Sequence, residues 1–169
     1  MMSRYWRLFL VAVFLSGCTN MCMGDRRDMT PEQVVEAYLD VALNMDEVDQ
    51  RDLLYEYTTG NLRESIEQAD DATIKTAYVD RRYDLLNYSV VERRDRTPRE
   101  TEITFQIEFK DLGTDNLPED QAPKVTTENT VSVVKKNQIW LIRDVLGNKT
   151  SIDFPVSKDS QITAKKPTK

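Results

Sequence analysis

Cys18 and Cys22 are the only thiols in the 169-residue chain, and histidine is absent. Thiol chemistry is therefore confined to the first 22 residues. These precede any patterned sequence, so no disulfide can staple a core. The lack of His removes the commonest general base, the commonest neutral-pH proton switch and the commonest transition-metal ligand. Arginines supply a different chemistry. Arg81, Arg82, Arg93, Arg94, Arg96 and Arg99 fall within 19 residues. Arg93, Arg94, Arg96 and Arg99 can gather around one hairpin and bind a carboxylate, a phosphate or an acidic partner. The alternative is a sheet edge guarded by charge, with local pairs to Glu92, Asp95 and Glu100. Arg81 and Arg82 stand roughly 40 Å further along an extended chain and need not share that patch. The acidic pairs Asp70-Asp71 and Glu119-Asp120 lack the 1, 3, 5, 12 spacing of a calcium loop. They read as a helix cap and a solvated loop, and no metal or other cofactor is expected.

The segment around Cys18 reads as an address. Arg4 and Arg7 open it, an uninterrupted apolar run from Leu8 to Leu15 follows, and small Ser16 and Gly17 precede the thiol. Such a run rises about 12 Å as a helix, far short of the roughly 30 Å hydrocarbon core, so it is a signal peptide and not a membrane span. The ending Leu15-Ser16-Gly17-Cys18 resembles the lipobox of bacterial lipoproteins. That resemblance implies cleavage between Gly17 and Cys18 and a lipid on the Cys18 sulfur. Two or three acyl chains, each methylene contributing about 0.8 kcal/mol, hold a protein firmly at a membrane. A cell-envelope location is implied. Thr19 in the position after Cys18, by resemblance to enteric bacteria, favours the outer membrane over the inner if the host is Gram-negative. Cys22 reads as an unpaired linker thiol, with a second acylation or an intermolecular disulfide as the alternatives.

Four parts follow: a signal peptide at 1–17, a lipidated tether at 18–29, one domain at 30–150 and a polar, Lys-rich tail at 151–169. Thr30, Pro31 and Gln33 form a capping box. Val34, Val35, Tyr38, Val41, Ala42 and Met45 then recur at helical spacing, predicting a helix over about 31–44. Val48, Leu53, Leu54 and Tyr57 suggest a second helix ending near Thr58. Thr59-Gly60-Asn61 reads as a break, Leu62 and Ile66 as a third helix, and Ile74 and Tyr78 as a fourth begun by Asp70 or Asp71. The period then changes to two. Strands are expected at 83–93, with Leu86, Tyr88 and Val90 on one side, at 101–109, at 124–135 and at 138–145. A turn is expected at 95–100, a loop at 111–123 and a tight turn at Lys136-Asn137. In the second strand Thr101, Ile103, Phe105, Ile107 and Phe109 face one way. In the fourth, Ile139, Leu141 and Val145 are expected opposite Trp140 and Ile142. Phe105, Phe109 and Trp140 read as core, with Trp140 and Ile142 as the residues able to form an outward patch.

Helices followed by consecutive antiparallel strands make an α+β domain of three to four strands. The leading segment TPEQVVEAY, followed by short helices and a long meander, resembles small lipoproteins of the NTF2-like (cystatin-like) superfamily. The resemblance implies a curved sheet wrapped as a cone around the helices, with a pocket in some members. The superfamily contains both enzymes and binding or assembly modules, so the fold does not decide the activity. An isomerase of this kind needs an inward Asp beside a Tyr oxyanion partner. Asp84 and Asp144 are the acids within strands, and Tyr38, Tyr55, Tyr57, Tyr78, Tyr83 and Tyr88 the available donors. The plainer reading makes the acids wet-face or edge residues and the rings core. An Asp–His dehydratase is excluded for want of His.

The net charge is −6, and −8 once Arg4 and Arg7 leave with the signal. A net acidic surface argues against nucleic acid or an anionic membrane face as the main partner. The expectation is a non-catalytic binding or assembly module that meets the membrane through its lipid and meets an envelope protein or small ligand through its surface. The alternative is an isomerase-like pocket enzyme using an acid and a Tyr.

Overall fold

The computed structural model describes residues 26–155 apart from 81, 115 and 116. The signal segment, Cys18, Cys22, Arg81 and the tail beyond 155 lie outside the described residues.

Helix α1 spans Pro31–Leu43 and begins as its sequence dictates. The Thr30 hydroxyl accepts from the Gln33 backbone N–H, and the Thr30 N–H donates to Gln33 Oε1 at 2.8 Å. Val34 and Val35 are fully buried. The second helix is shorter than expected. A 3₁₀ turn at Val48–Gln50 leads into α2, Arg51–Tyr55. Helix formation stops because the following residues pair with a strand: Ile142 N–H donates to Tyr57 O at 2.8 Å, and Thr59 N–H to Ile142 O at 2.9 Å. The β-branched Thr58 and Thr59 suit that extended role. Gly60 is the first residue of α3, Gly60–Gln68, and not a break. Its φ is +55°, and a Cβ there would stand 2.9 Å from Arg143 Cγ, so both conformation and space require glycine. Asp70 caps α4, Asp71–Ile74, by accepting from Thr73 N–H at 2.8 Å. That bond holds the Asp70 carboxyl below its ordinary value. A π-helical turn, Lys75–Val79, ends the helical half.

Four strands follow in a plain antiparallel meander, order β1-β2-β3-β4: Arg82–Thr97, Glu100–Gly113, Lys124–Lys136 and Ile139–Asp153. The fold is α+β, with helices packed against one face of a four-stranded sheet, as expected. All four strands are longer than the sequence pattern suggests. The 95–100 turn shrinks to Pro98-Arg99, and the 111–123 loop begins only after Gly113. The β3–β4 hairpin turns at Asn137-Gln138, one residue later than expected, with φ of +49° and +69°. Positive φ at both central residues matches the right-handed strand twist. The fourth strand runs through 151–153 into the segment assigned to the tail, because Ser151, Ile152 and Asp153 pair with Thr126, Val125 and Lys124. At the other end, residues assigned to the tether pack on the domain. Met29 joins the core cluster, and the Arg26 guanidinium sits 5.2 Å over the Tyr57 ring and 3.5 Å from Glu56.

Cross-strand partners share a face, so the register defines the inner, helix-side surface. It carries Thr101, Ile103, Phe105, Ile107 and Phe109 on β2, as the alternation predicts, with Val125, Thr127, Asn129, Val131 and Val133 opposite on β3. On β1 the pairing shifts between Leu85 and Asn87, between Val90 and Glu92 and between Asp95 and Thr97. An extra residue at Leu86, at Val91 and at Arg96 resets the alternation. Leu85, Tyr88 and Val90 therefore face inward, not Leu86. On β4 shifts leave Arg143 and Leu146 as the extra residues. Ile142 and Val145 consequently lie on one face, where a strict period of two would separate them. Ile142 is 1% exposed and Trp140 packs against the same core, so neither forms an outward patch.

Candidate functional site

The sheet is longer than the helices that cover it. Over one half, Val34 and Val35 of α1 pack on Ile103, Val131, Val133 and Ile142. Over the other half the inner face opens into a cleft of about 980 Å³. Gln33, Glu36, Ala37 and Asp40 of α1 form one wall, and Tyr83, Leu85, Tyr88 and Ile107 form the other. A second, apolar pocket of about 150 Å³ lies between α1, α3 and β2–β4, lined by Tyr38, Leu62, Phe105, Val131 and Val145. Leu39 lines both, so the two hollows flank one side chain on a shared concave surface.

Aromatic side chains define the floor. The Tyr83 ring meets Phe109 edge-on at 4.9 Å between centroids, and Tyr88 tilts against Phe105 at 5.9 Å. The Tyr88 hydroxyl is buried with no hydrogen-bond partner among the described residues. Burial, reinforced by the nearby Glu36 and Glu32 carboxylates, pushes its pKa up to about 12. Such an orphaned buried hydroxyl costs stability, typically about 1–3 kcal/mol. The cleft's carboxylates are Asp28, Glu36, Asp40 and Asp84, against the Arg26 guanidinium that already pairs with Glu56.

The structure brings together part of the acid–tyrosine set read from the sequence. Asp84, Tyr57, Tyr83 and Tyr88 all line the large cleft. Asp84 stands on the β1 edge between the inward Tyr83 and Leu85. Asp144 is elsewhere, accepting from Asn61 Nδ2 at 2.8 Å. Tyr38 and Tyr78 share a hydroxyl–hydroxyl contact of 3.4 Å, and burial pushes Tyr38 well above the ordinary phenol range. Tyr55 lies beneath the Arg63 guanidinium at 4.8 Å. No carboxylate hydrogen-bonds a tyrosine hydroxyl among the described residues.

Arg93, Arg94 and Arg96 occupy one end of β1, each in an ion pair, and Arg99 lies in the turn that follows. Arg93 bonds Glu32 of α1 at 3.0 Å and Asp95 at 2.9 Å, Arg94 bonds Glu92 at 2.9 Å, and Arg96 bonds Glu102 at 2.6 Å. Glu100 pairs instead with Arg143, which also donates to Ser132 Oγ at 2.9 Å. Arg99 lines a shallow hollow of about 380 Å³ with Lys135, Asn137 and Gln138. Burial alone would raise the Glu32 carboxyl. Hydrogen bonds from its own backbone, Thr30 and Arg93, with the Arg93 charge, hold it below the usual value. Of the acidic pairs, Asp71 bonds Arg51 at 2.6 Å and Glu119 bonds Lys110 at 3.3 Å. No group of three or more Cys, Asp or Glu stands ready to hold a metal among the described residues.

Sequence reasoning missed Gln33, Glu36 and Asp40. Their spacing puts them on one polar stripe of α1, which reads as solvent-facing until the sheet is seen to curve beneath it.

The fold has solved counterparts at low identity. The intermembrane space region of the chloroplast protein ARC6 aligns over 73% of this chain and 93% of its own, with 16% identity and a TM-score of 0.50. That likeness is one of fold. VirB8 of Agrobacterium tumefaciens overlaps more loosely: 18% identity, 76% and 97% coverage, TM-score 0.41. An NTF2-like protein involved in plasmid conjugation gives 11% identity and a TM-score of 0.39, with 76% of this chain spanning about half, 52%, of that one. No family model and no curated protein matches the sequence.

Proposed function

We propose that the chain is a lipid-anchored cell-envelope protein whose NTF2-like domain is a non-catalytic binding or assembly module, with the cleft between α1 and the β1–β2 inner face as its recognition surface. The anchor reading rests on Leu15-Ser16-Gly17-Cys18 and its short apolar lead. No helix among the described residues is long and apolar enough to cross a membrane. Thr19 supports the outer membrane in a Gram-negative host.

The observation that carries the binding reading is the Tyr88 hydroxyl, kept buried and unpartnered on the floor of an open, tyrosine-lined hollow. A polar group left unsatisfied at a stability cost is what a site for a ligand or partner segment tolerates. The non-catalytic reading is supported by the lack of any carboxylate hydrogen-bonded to a tyrosine hydroxyl among the described residues. Asp144 is engaged by Asn61, and Asp84 stands at the strand edge.

The test compares wild type, Cys18→Ala and Tyr88→Phe. Wild type should fractionate with membranes and yield an acylated N-terminal peptide by mass spectrometry, while Cys18→Ala should lose both properties. Tyr88→Phe should be more stable to urea by about 1 kcal/mol yet recover less bound partner from detergent-solubilised envelopes. An unacylated wild-type N-terminus would overturn the anchor. A Tyr88→Phe protein that keeps its full complement of partners would remove the cleft from the reading.

A further inference from the structure

The sheet has two open edges, and the chain treats them differently. Strand β1 carries three extra residues, Leu86, Val91 and Arg96, and the Arg93, Arg94 and Arg96 ion pairs, devices that discourage strand addition. Among the described residues the edge of β4 is covered only near its start, where Tyr57 and Thr59 bond Ile142. From Gly147 to Asp153 it runs in unbroken register with β3, and every residue from Val145 to Pro155 is exposed. Phe154, 73% exposed, stands at its end.

We infer that the distal β4 edge, Gly147–Asp153, is a self-association surface that pairs antiparallel with the same segment of a second copy about a twofold axis at Ser151. Both members of a directly opposed antiparallel pair belong to the same alternating set, so a twofold pairing of identical strands must centre on a residue. An axis at Lys149 sets lysine against lysine, and one at Asp153 sets aspartate against aspartate. Axes at Thr150 or Ile152 leave both charges opposite uncharged residues. Only the Ser151 axis puts Lys149 opposite Asp153 of the second copy, twice by symmetry, and Ile152 opposite Thr150.

The charges already on the sheet extend this row. Within one chain Asp153 stands across from Lys124, and Lys149 across from Glu128. Neither Lys149 nor Asp153 forms an ion pair among the described residues. Joining two copies at Ser151 gives a continuous alternating line: Lys124, Asp153, then Lys149 and Glu128 of the second copy. Opposite charges in direct cross-strand positions stabilise pairing, and like charges oppose it.

Sedimentation velocity on the detergent-solubilised full chain tests this over a wide concentration range. Wild type should show a concentration-dependent dimer. Lys149→Asp or Asp153→Lys alone should weaken it about tenfold, since each turns two attractive pairs into two repulsive ones. The double exchange Lys149→Asp/Asp153→Lys should restore it in part, because within each chain it also sets the new charges against Glu128 and Lys124. In a Cys22→Ser background, Ser151→Cys should give a disulfide-linked dimer mapped to residue 151, and Thr150→Cys should not. All these positions are exposed, and circular dichroism checks that each variant folds. A wild type that stays monomeric, or a dimer indifferent to the charge exchange, overturns the inference.

Discussion

On the inner face of the sheet, Ile103, Val133 and Ile142 lie beneath the helices and are at most 1% exposed, while Leu85, Val145 and Ile152 on the same face remain about half exposed. Both groups come from strands of similar apolar content, and both are laid down by the same alternation. The difference is the extent of the helical layer. Leu39 of α1 separates the cleft on one side from the small pocket on the other. One half of the sheet therefore serves as core, and the other presents apolar and aromatic surface without a partner from the described residues. Exposed apolar surface of this kind marks binding sites more often than it marks folding need.

Paired truncations give the largest expected contrast between the halves. Ile103→Ala empties a fully packed position and should lower unfolding free energy by about 2–5 kcal/mol. Ile152→Ala, on the same face, should cost under about 1 kcal/mol, since much of the side chain already meets water. Equal losses by chemical denaturation would erase the distinction. Gly60→Ala examines how the covered half is closed. The left-handed φ and the clash with Arg143 should together cost about 1–3 kcal/mol, and an unchanged midpoint would show that the α3–β4 approach is loose. The smallest effect concerns the Glu32–Arg93 pair, which ties α1 to β1. The Glu32 carboxyl is lowered below 4.5, so its contribution is fully present above that pH and disappears as pH falls through the lower folded value. Both side chains are partly exposed, which limits the effect to under about 1 kcal/mol. The stability gap between wild type and Glu32→Gln should shrink below pH 4.5. A gap that stays constant to pH 2 would show that the ion pair contributes nothing.

Much of the covered half was legible in the residues. Thr30, Pro31 and Gln33 announced the start of α1, and the strict alternation from Thr101 to Phe109 announced a central strand with one buried face. The open half was not, for identifiable reasons. Extra residues at Leu86, Val91, Arg143 and Leu146 each flip the faces of a strand, and a pattern of period two cannot register an insertion that has no signature of its own. Trp140 and Ile142 were placed opposite Val145 on that account. The second helix was overextended because Thr58 and Thr59 bond to a strand that is remote in sequence. The arginines lie at one hairpin, and their partners Glu32 and Glu102, from α1 and β2, were not read from the sequence. Asp84, Tyr83 and Tyr88 were singled out before the structure grouped them. The polar stripe of α1 that faces them carried no sign of its destination.

The clasp between Tyr57–Thr59 and Ile142, with Asn61 bonded to Asp144 across 83 positions of sequence, sets the order in which the molecule can mature. Strands adjacent in sequence can find one another as the chain lengthens, at small entropic expense. Leu54 of α2 and Ile66 of α3 can pack with Val41 and Ala42 of α1 early, but Tyr57 and Thr59 have no strand to bond until β4 emerges. A nascent polypeptide that has not yet reached Ile139 would hold a three-stranded sheet with this clasp unmade, a state open to proteases and chaperones until β4 is added.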